Sequence, residues 1–235
     1  AALIVPHAGL IYSGPTAAYA YGRVCGRRPQ RIVLLGCSHR YPIETASLYA
    51  AGAFMSPLGD FPVDAAFARE FARRIDAESA EPHFHEHALE VQLPFLAEVF
   101  GATPLVPLLF GATIGAWHGK VAAVLAEMLE PADLVIASTD LSHYMSEAEA
   151  NRMDWIGIDA ICAGDWKAYA KGIQTQRFAQ CGAAAVAVAM AYGQERNIRT
   201  TRLLDYRTSA RASGDFARVV GYAAISMEYN EEVNE

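Results

Sequence analysis

The sequence predicts an α/β fold: a single three-layer αβα domain over residues 1–235, with a mostly parallel sheet and an antiparallel C-terminal edge. Three observations carry this expectation. Apolar runs short enough to be buried strands recur at Leu3-Ile4-Val5, Ile32-Val33-Leu34-Leu35 and Leu134-Val135-Ile136-Ala137. Turn signals and periodicity along the chain predict repeated strand-then-helix units, the alternation that builds a parallel sheet covered on both faces. Of the 235 residues, 53% are hydrophobic and 19% charged, enough apolar side chain to fill one large core.

The elements follow in order. Strand 3–5 leads into a loop through Gly14, and Pro15, a favoured first helical residue, opens a helix to about Cys25. Strand 31–36 ends at Cys37-Ser38-His39. The Ala/Tyr-rich stretch 46–63 reads as extended segments broken by a turn at Pro57-Leu58-Gly59-Asp60. Asp64 caps a helix to Ile75 whose Phe67, Phe71 and Ile75 share a face. His83-Phe84-His85-Glu86-His87 precedes a helix over about 87–100, closed by Gly101. Strand 104–109, helix 114–129 and strand 133–138 come next, then helix 147–162 and a shorter one near 166–170. Cys181-Gly182 opens an Ala/Val-rich helix over 183–196. Runs 200–208 and 217–227, joined by Ser213-Gly214-Asp215, predict an antiparallel hairpin at a sheet edge. The chain opens at Ala1 almost directly on a strand, which is the expectation for a piece that starts inside a longer protein.

Composition removes several function classes. The formal charge is −7 with both signs interspersed, and no basic stripe or RNP-like motif points to nucleic acid. No apolar run approaches the roughly 20 residues of a membrane span. Four cysteines without CxxC spacing, and no signal peptide, fit a reducing cytoplasmic setting. Walker A, GxGxxG and GxSxG patterns are all missing, which argues against phosphate-loop NTPases, dinucleotide oxidoreductases and α/β-hydrolases.

In an open α/β sheet, ligands bind beyond the carboxyl ends of the strands. The three apolar runs each deliver a histidine there: His7 in Pro6-His7-Ala8-Gly9, His39 in Gly36-Cys37-Ser38-His39, and His143 in Ser138-Thr139-Asp140-Leu141-Ser142-His143. If these strands are parallel neighbours, the imidazoles share one rim, the arrangement a metal or proton-transfer site needs. The plain alternative for each is a turn histidine bonded to backbone. Asp140 precedes His143 by three positions, where a carboxylate can orient the ring; otherwise Asp140 or Ser142 caps a helix. Cys181 stands at a predicted helix start, where the dipole favours a thiolate and hence a soft metal ligand; otherwise it is a small buried hydrophobe. Cys25 and Cys162 fall in helical stretches and are assigned to core packing. Among the alternating His83, His85 and His87, only His87 is aimed at the crevice, and the other two read as surface residues. Tyr12 and Asp60 are weaker candidates for lining a pocket.

Five motifs, in order, resemble the Memo-like family, whose bacterial and archaeal members are known as the B protein of the AmmeMemoRadiSam system. They are Pro6-His7-Ala8-Gly9 with Tyr12-Ser13-Gly14, Gly36-Cys37-Ser38-His39, Glu86-His87-Ala88-Leu89-Glu90-Val91-Gln92-Leu93-Pro94, Ser138-Thr139-Asp140-Leu141-Ser142-His143 and Cys181-Gly182. Gly221-Tyr222-Ala223-Ala224 is similar to the family's closing strand, so the resemblance spans nearly the whole chain. The family segment that precedes the first histidine loop is not matched.

The resemblance implies the fold of class III extradiol ring-cleavage dioxygenases (LigB-like), which hold non-haem Fe(II). Position by position, it implies His7, His39 and Cys181 as metal-site residues and His143 as acid/base catalyst, with Asp140 beside it. Those dioxygenases use a carboxylate as third ligand; a thiolate in its place softens the site toward copper and exposes it to oxidation. The expected function is a metal-dependent redox enzyme of dioxygenase type, with Fe(II) ahead of copper or zinc. Its substrate would be a small aromatic diol or a related molecule, with Tyr12, His87, Gly9 and Gly14 shaping the pocket. A rival reading keeps the crevice for a peptide or partner protein, or for metal handling without turnover. A zinc-dependent hydrolase with His143 as base ranks third. The family name further implies association with a radical-SAM protein and an AMMECR-type protein.

Overall fold

Strands that are buried along their whole length form the middle of the sheet, as continuous apolar runs require when helices cover both faces. The computed structural model describes residues 1–77 and 81–229. The chain runs through β1 (Ala2–Val5), α1 (Leu10–Arg23), β2 (Ile32–Cys37) and β3 (Ala46–Leu48), then a ribbon of β4 (Ala53–Ser56) and β5 (Gly59–Pro62). Helix α2 (Ala65–Ile75) and two 3-10 turns, Glu81–His85 and Glu90–Gln92, lead to α3 (Leu93–Phe100) and β6 (Leu105–Phe110). Next are α4 (Ala116–Met128), β7 (Leu134–Ser138), β8 (His143–Met145), α5 (Glu147–Cys162), α6 (Trp166–Gln174) and α7 (Ala183–Glu195). The chain closes with β9 (Thr200–Thr208), α8 (Ala210–Ser213) and β10 (Val219–Glu228).

The sheet order is β3-β6-β2-β7-β1-β10, with β9 pairing on β10. β6, β2, β7 and β1 are mutually parallel, and the antiparallel C-terminal strands follow as predicted. Val5 pairs with Ser138 and Leu35 with Ala137, so β1, β7 and β2 end level. That register puts the segments after all three on one rim. β10 continues past β1 and pairs its first residues with β8, which carries His143 to the same end.

Alternate side chains of the strands feed two apolar layers. Leu3, Val5, Leu34 and Ile136 pack with Ala17, Ala20 and Tyr21 of α1 and with Leu93 and Leu96 of α3. Ile4, Val33, Leu35 and Val135 pack against α2, α4, α5, α6 and α7. Residues 183–193 of α7 are all buried, the mark of a helix enclosed on every side. No helix among the described residues is long and apolar enough to cross a membrane.

Several boundaries differ from the sequence reading. α1 begins at Leu10, so Tyr12 and Gly14 are helical and Pro15 lies inside the helix rather than opening it. The hydrogen bond Pro15 cannot give would go to the carbonyl of Ile11, a residue on the exposed face of the helix at 73% exposure. The expected 87–100 helix is a 3-10 turn followed by α3, because Pro94 favours a first turn there and Ala88 and Leu89 are tucked into the core. α6 runs on to Gln174. β3 pairs antiparallel with β6, giving the sheet a second antiparallel edge. The expected antiparallel pair is present, with β9 on its outer side. Cys25 and Cys162 are exposed instead of packed in the core: Cys25 lies in the turn just past the end of α1, and Cys162 is the last residue of α5. His83 is buried, not a surface residue: its 3-10 turn folds under β3, and Nε2 donates to the Ser47 carbonyl at 3.0 Å.

Candidate metal centre

At the shared rim, ligand atoms of His7, Cys37, His39 and Cys181 all lie within 4.8 Å of one another. His7 follows β1 and is 1% exposed; Cys37 ends β2, and His39 is two residues beyond. The His7 and His39 ring centroids are 5.2 Å apart and nearly perpendicular. Cys181 arrives from the other side, just before α7. Gly182 makes that approach possible: a Cβ there would stand 2.3 Å from the Ser138 carbonyl oxygen. The Gly182 N–H donates to Thr139 Oγ1 at 2.9 Å, and the Cys181 N–H to the Asp140 carbonyl at 3.3 Å. Thus a helix start and a strand end are locked together, and the sulfur is fixed between them.

The surroundings of Cys181 favour its ionised form. Its pKa is held well below the usual thiol range, first by the Cys37 S–H and then by His7 and His39, which together outweigh burial. Cys181 Sγ lies 3.2 Å from His7 Nε2 and accepts the Asp140 N–H, also at 3.2 Å. Cys37 keeps its proton, because it donates to Cys181 and is buried. His39 is pushed up to about 10 by its hydrogen bonds to Cys181 and Glu86.

Glu86 organises the outer half of the cluster. Oε1 accepts from His39 Nδ1 at 2.8 Å and from the Ala88 N–H at 2.9 Å, while Oε2 accepts the His39 N–H at 2.6 Å. Burial opposes its charge, but the His39 ring and these backbone donors win and bring its pKa down to about 2. With Nδ1 donating to a carboxylate, His39 turns Nε2 toward the sulfurs, 3.5 Å from Cys37 Sγ.

Each predicted site residue has a definite place. His7, His39 and Cys181 converge. His87 joins them, half-exposed, with its ring 4.7 Å from that of His39. Asp140 spends its carboxylate on His7, accepting that residue's backbone N–H at 2.8 Å; no hydrogen bond joins it to His143 among the described residues. His143 is half-buried on β8, close enough for its charge to act on Asp140 and Asp154. Gly9 caps α1 directly after the His7 loop, its carbonyl accepting the Tyr12 and Ser13 N–H groups. Tyr12 is 41% exposed and acts electrostatically on buried Tyr222. Gly14 faces Leu10 and Phe95 in the groove between α1 and α3, not the cluster. Asp60 is exposed on β5. Cys37 and Glu86 were not among the predicted site residues. The spacing Cys37-x-His39 at a strand end, which puts two side chains on one side, is the signal that marks the first; Glu86 has none beyond standing next to His87.

The donor set fits a metal. Ligand bonds of about 2.0–2.3 Å put donors at tetrahedral angles roughly 3.3–3.7 Å apart, near the 3.2 and 3.5 Å sulfur–nitrogen distances here. Beside the cluster, a cleft of about 340 Å³ is lined by Arg40, Phe54, Met55, Phe84, Glu86 and His87.

A family model described as Memo-like protein matches residues 1–226. The chain belongs to the Memo-like family. MEMO1 family proteins of Desulfurococcus amylolyticus and Aeropyrum pernix are 35% and 36% identical to it. Those alignments cover 94% and 95% of this chain and 81% and 82% of the relatives. The crystal structure of an uncharacterized protein from Escherichia coli K12 superposes with a TM-score of 0.57 at 13% identity, covering 95% of this chain and 98% of its own. At that identity the likeness shows a shared fold and nothing finer.

Proposed function

We propose that this Memo-like protein is a metal-dependent redox enzyme of dioxygenase type, holding Fe(II) through Nε2 of His7, Nε2 of His39 and the thiolate of Cys181. The observation that carries the reading is the convergence of two imidazoles and a cysteine sulfur at the carboxyl rim of parallel strands. A bound iron would supply Lewis acidity and a path for electrons. The chain's own residues do the rest. The cleft beside His87 would hold a small aromatic diol or related substrate against Phe54, Met55 and Phe84. His143 would take a substrate proton and return it. Cys37 would stay a thiol and steady the Cys181 charge. Anaerobic loading with Fe(II), then oxygen uptake across a panel of catechols, tests this. Uptake that vanishes in His39→Ala supports it, and none across the panel in metal-loaded protein overturns it.

One observation favours a second reading. Cys37 lies in the same cluster, and a set of two histidines and two cysteines is the closed tetrahedral kind that suits zinc or copper. Four protein ligands leave no open position, so the protein would then handle metal without turnover. Elemental analysis of protein purified without added metal, together with Cys37→Ser, separates the two. Zinc or copper lost with Cys37 speaks for the closed site; iron retained without it speaks for the open one.

A further inference from the structure

We propose that Ser138, aligned by Ala88 and Gln92, fixes a proton on Nδ1 of His7 and so turns Nε2 toward Cys181. Ser138 and Gln92 are then positioning residues for the centre. The argument is a count of donors and acceptors in a closed space. Tyr21, Gln92, Ser138 and His7 are each exposed by 1% or less, so solvent cannot supply a missing partner.

Two backbone carbonyls, which can only accept, fix the direction of every bond. The Pro6 carbonyl lies 2.9 Å from Gln92 Nε2, so the amide nitrogen must be on that side. Gln92 Oε1 therefore faces Tyr21, whose hydroxyl donates to it at 2.9 Å. The second Gln92 N–H goes to Ser138 Oγ, also at 2.9 Å. Ser138 has one proton, and it is directed at the Ala88 carbonyl, 2.6 Å away. Both lone pairs of Ser138 are then acceptors. One takes the Gln92 N–H, and the other faces His7 Nδ1 at 2.9 Å. A His7 without a proton on Nδ1 would set lone pair against lone pair in a dry site. Nε2 is accordingly the atom aimed at Cys181.

His39 reaches the same orientation by a different device, a buried carboxylate on Nδ1. The neutral serine differs in one respect: it directs the ring without adding a negative charge beside Cys181 and Asp140. The network also ties α1, the Glu90–Gln92 turn and the ends of β1 and β7 to one ring, so the residues that orient His7 come from four separate parts of the chain.

This assignment rests on the metal-centre reading, yet its first test needs no metal. In metal-free protein labelled with 15N-histidine, the His7 ring should show a slowly exchanging proton on Nδ1, assigned by its loss in His7→Gln. In Ser138→Ala that proton should exchange freely, and Zn(II) affinity by competition titration should fall about 10- to 100-fold, the usual effect of removing a ligand's orienting partner. Gln92→Met, which keeps the Ser138 hydroxyl but removes its alignment, should give a smaller loss in both readouts. A wild-type proton on Nε2 alone, or a folded Ser138→Ala with both readouts unchanged, overturns the proposal. If Ser138→Ala does not fold, Gln92→Met decides it by the same two measurements. Wild-type protein that protects the Nδ1 proton but takes up no Zn(II) refutes the metal reading and leaves the Nδ1 assignment standing.

Discussion

His7 and His143 stand at the same rim of one sheet, but the chain treats them differently. The backbone N–H and both ring nitrogens of His7 are committed: the N–H to Asp140, Nδ1 to Ser138 and Nε2 toward Cys181. His143 is half-buried on a three-residue strand that pairs with β10 where the register shifts. Its neighbour Tyr144 has φ 61°, a left-handed conformation uncommon outside glycine, and the two rings make an edge contact at 5.7 Å. The contrast separates two tasks. Holding an ion demands donors fixed to about half an ångström. Moving a proton demands reach and a ring nitrogen still free to use.

The largest effect should come from breaking the fixed side. Cys181→Ser should weaken metal binding by roughly 100-fold or more, since each ligand of a protein metal site carries several kcal/mol of its affinity. Calorimetric titration of Zn(II) into both proteins measures it. Cys37→Ser should cost less if Cys37 only donates its S–H to the thiolate. Equal losses in the two variants would make Cys37 a ligand and close the site.

Turnover should report the other side. His143→Gln should keep the wild-type metal content while lowering the rate by about 10²–10⁴-fold, the range for losing a general acid/base. Metal content by mass spectrometry and oxygen uptake read the two separately. A variant that sheds its metal would show that His143 belongs to the fixed half, and the division drawn above would fail.

How much of this was legible depended on whether the cause was local. Continuous apolar runs identify β1, β2 and β7 because burial on both faces leaves no other pattern, and the rim position of His7 and His39 follows from them. β9 matches the expected 200–208 in full, since its boundaries are set by neighbouring turn residues. Cys37 reads as the apolar last residue of a strand until Cys181 is placed against it, 144 positions later. Ser138 and Gln92 are 46 positions apart and meet only after β7 and the Glu90–Gln92 turn pack together. Pro15 misleads because proline at a helix start is the common case, and only the exposure of Ile11 shows why the helix tolerates it further in. Hydrogen-bond direction, the feature that selects a nitrogen on each ring, is not a property of any one segment.

A third histidine sharpens the comparison at the smallest scale. His83 is buried like His7, but its Nδ1 has no hydrogen-bond partner and no thiolate is beside it. Burial therefore wins and pushes its pKa down to about 4, against a modest rise from the Ser47 carbonyl. For His7 burial acts in the same direction, yet Cys181 and Asp140 outweigh it and the net shift is upward. The sign for stability follows. Between about pH 6.5 and 4, the unfolded chain carries a proton on His83 that the folded chain lacks, so stability is full above 6.5 and declines as pH falls toward 4. From pH 6.5 to 5 the loss is on the order of 2 kcal/mol. His83→Gln keeps a donor for the Ser47 carbonyl and cannot titrate, so its denaturant midpoint should change less over that interval than the wild-type midpoint. An identical acid decline in the variant would assign the proton to another group and remove His83 as the case of burial without a thiolate beside it.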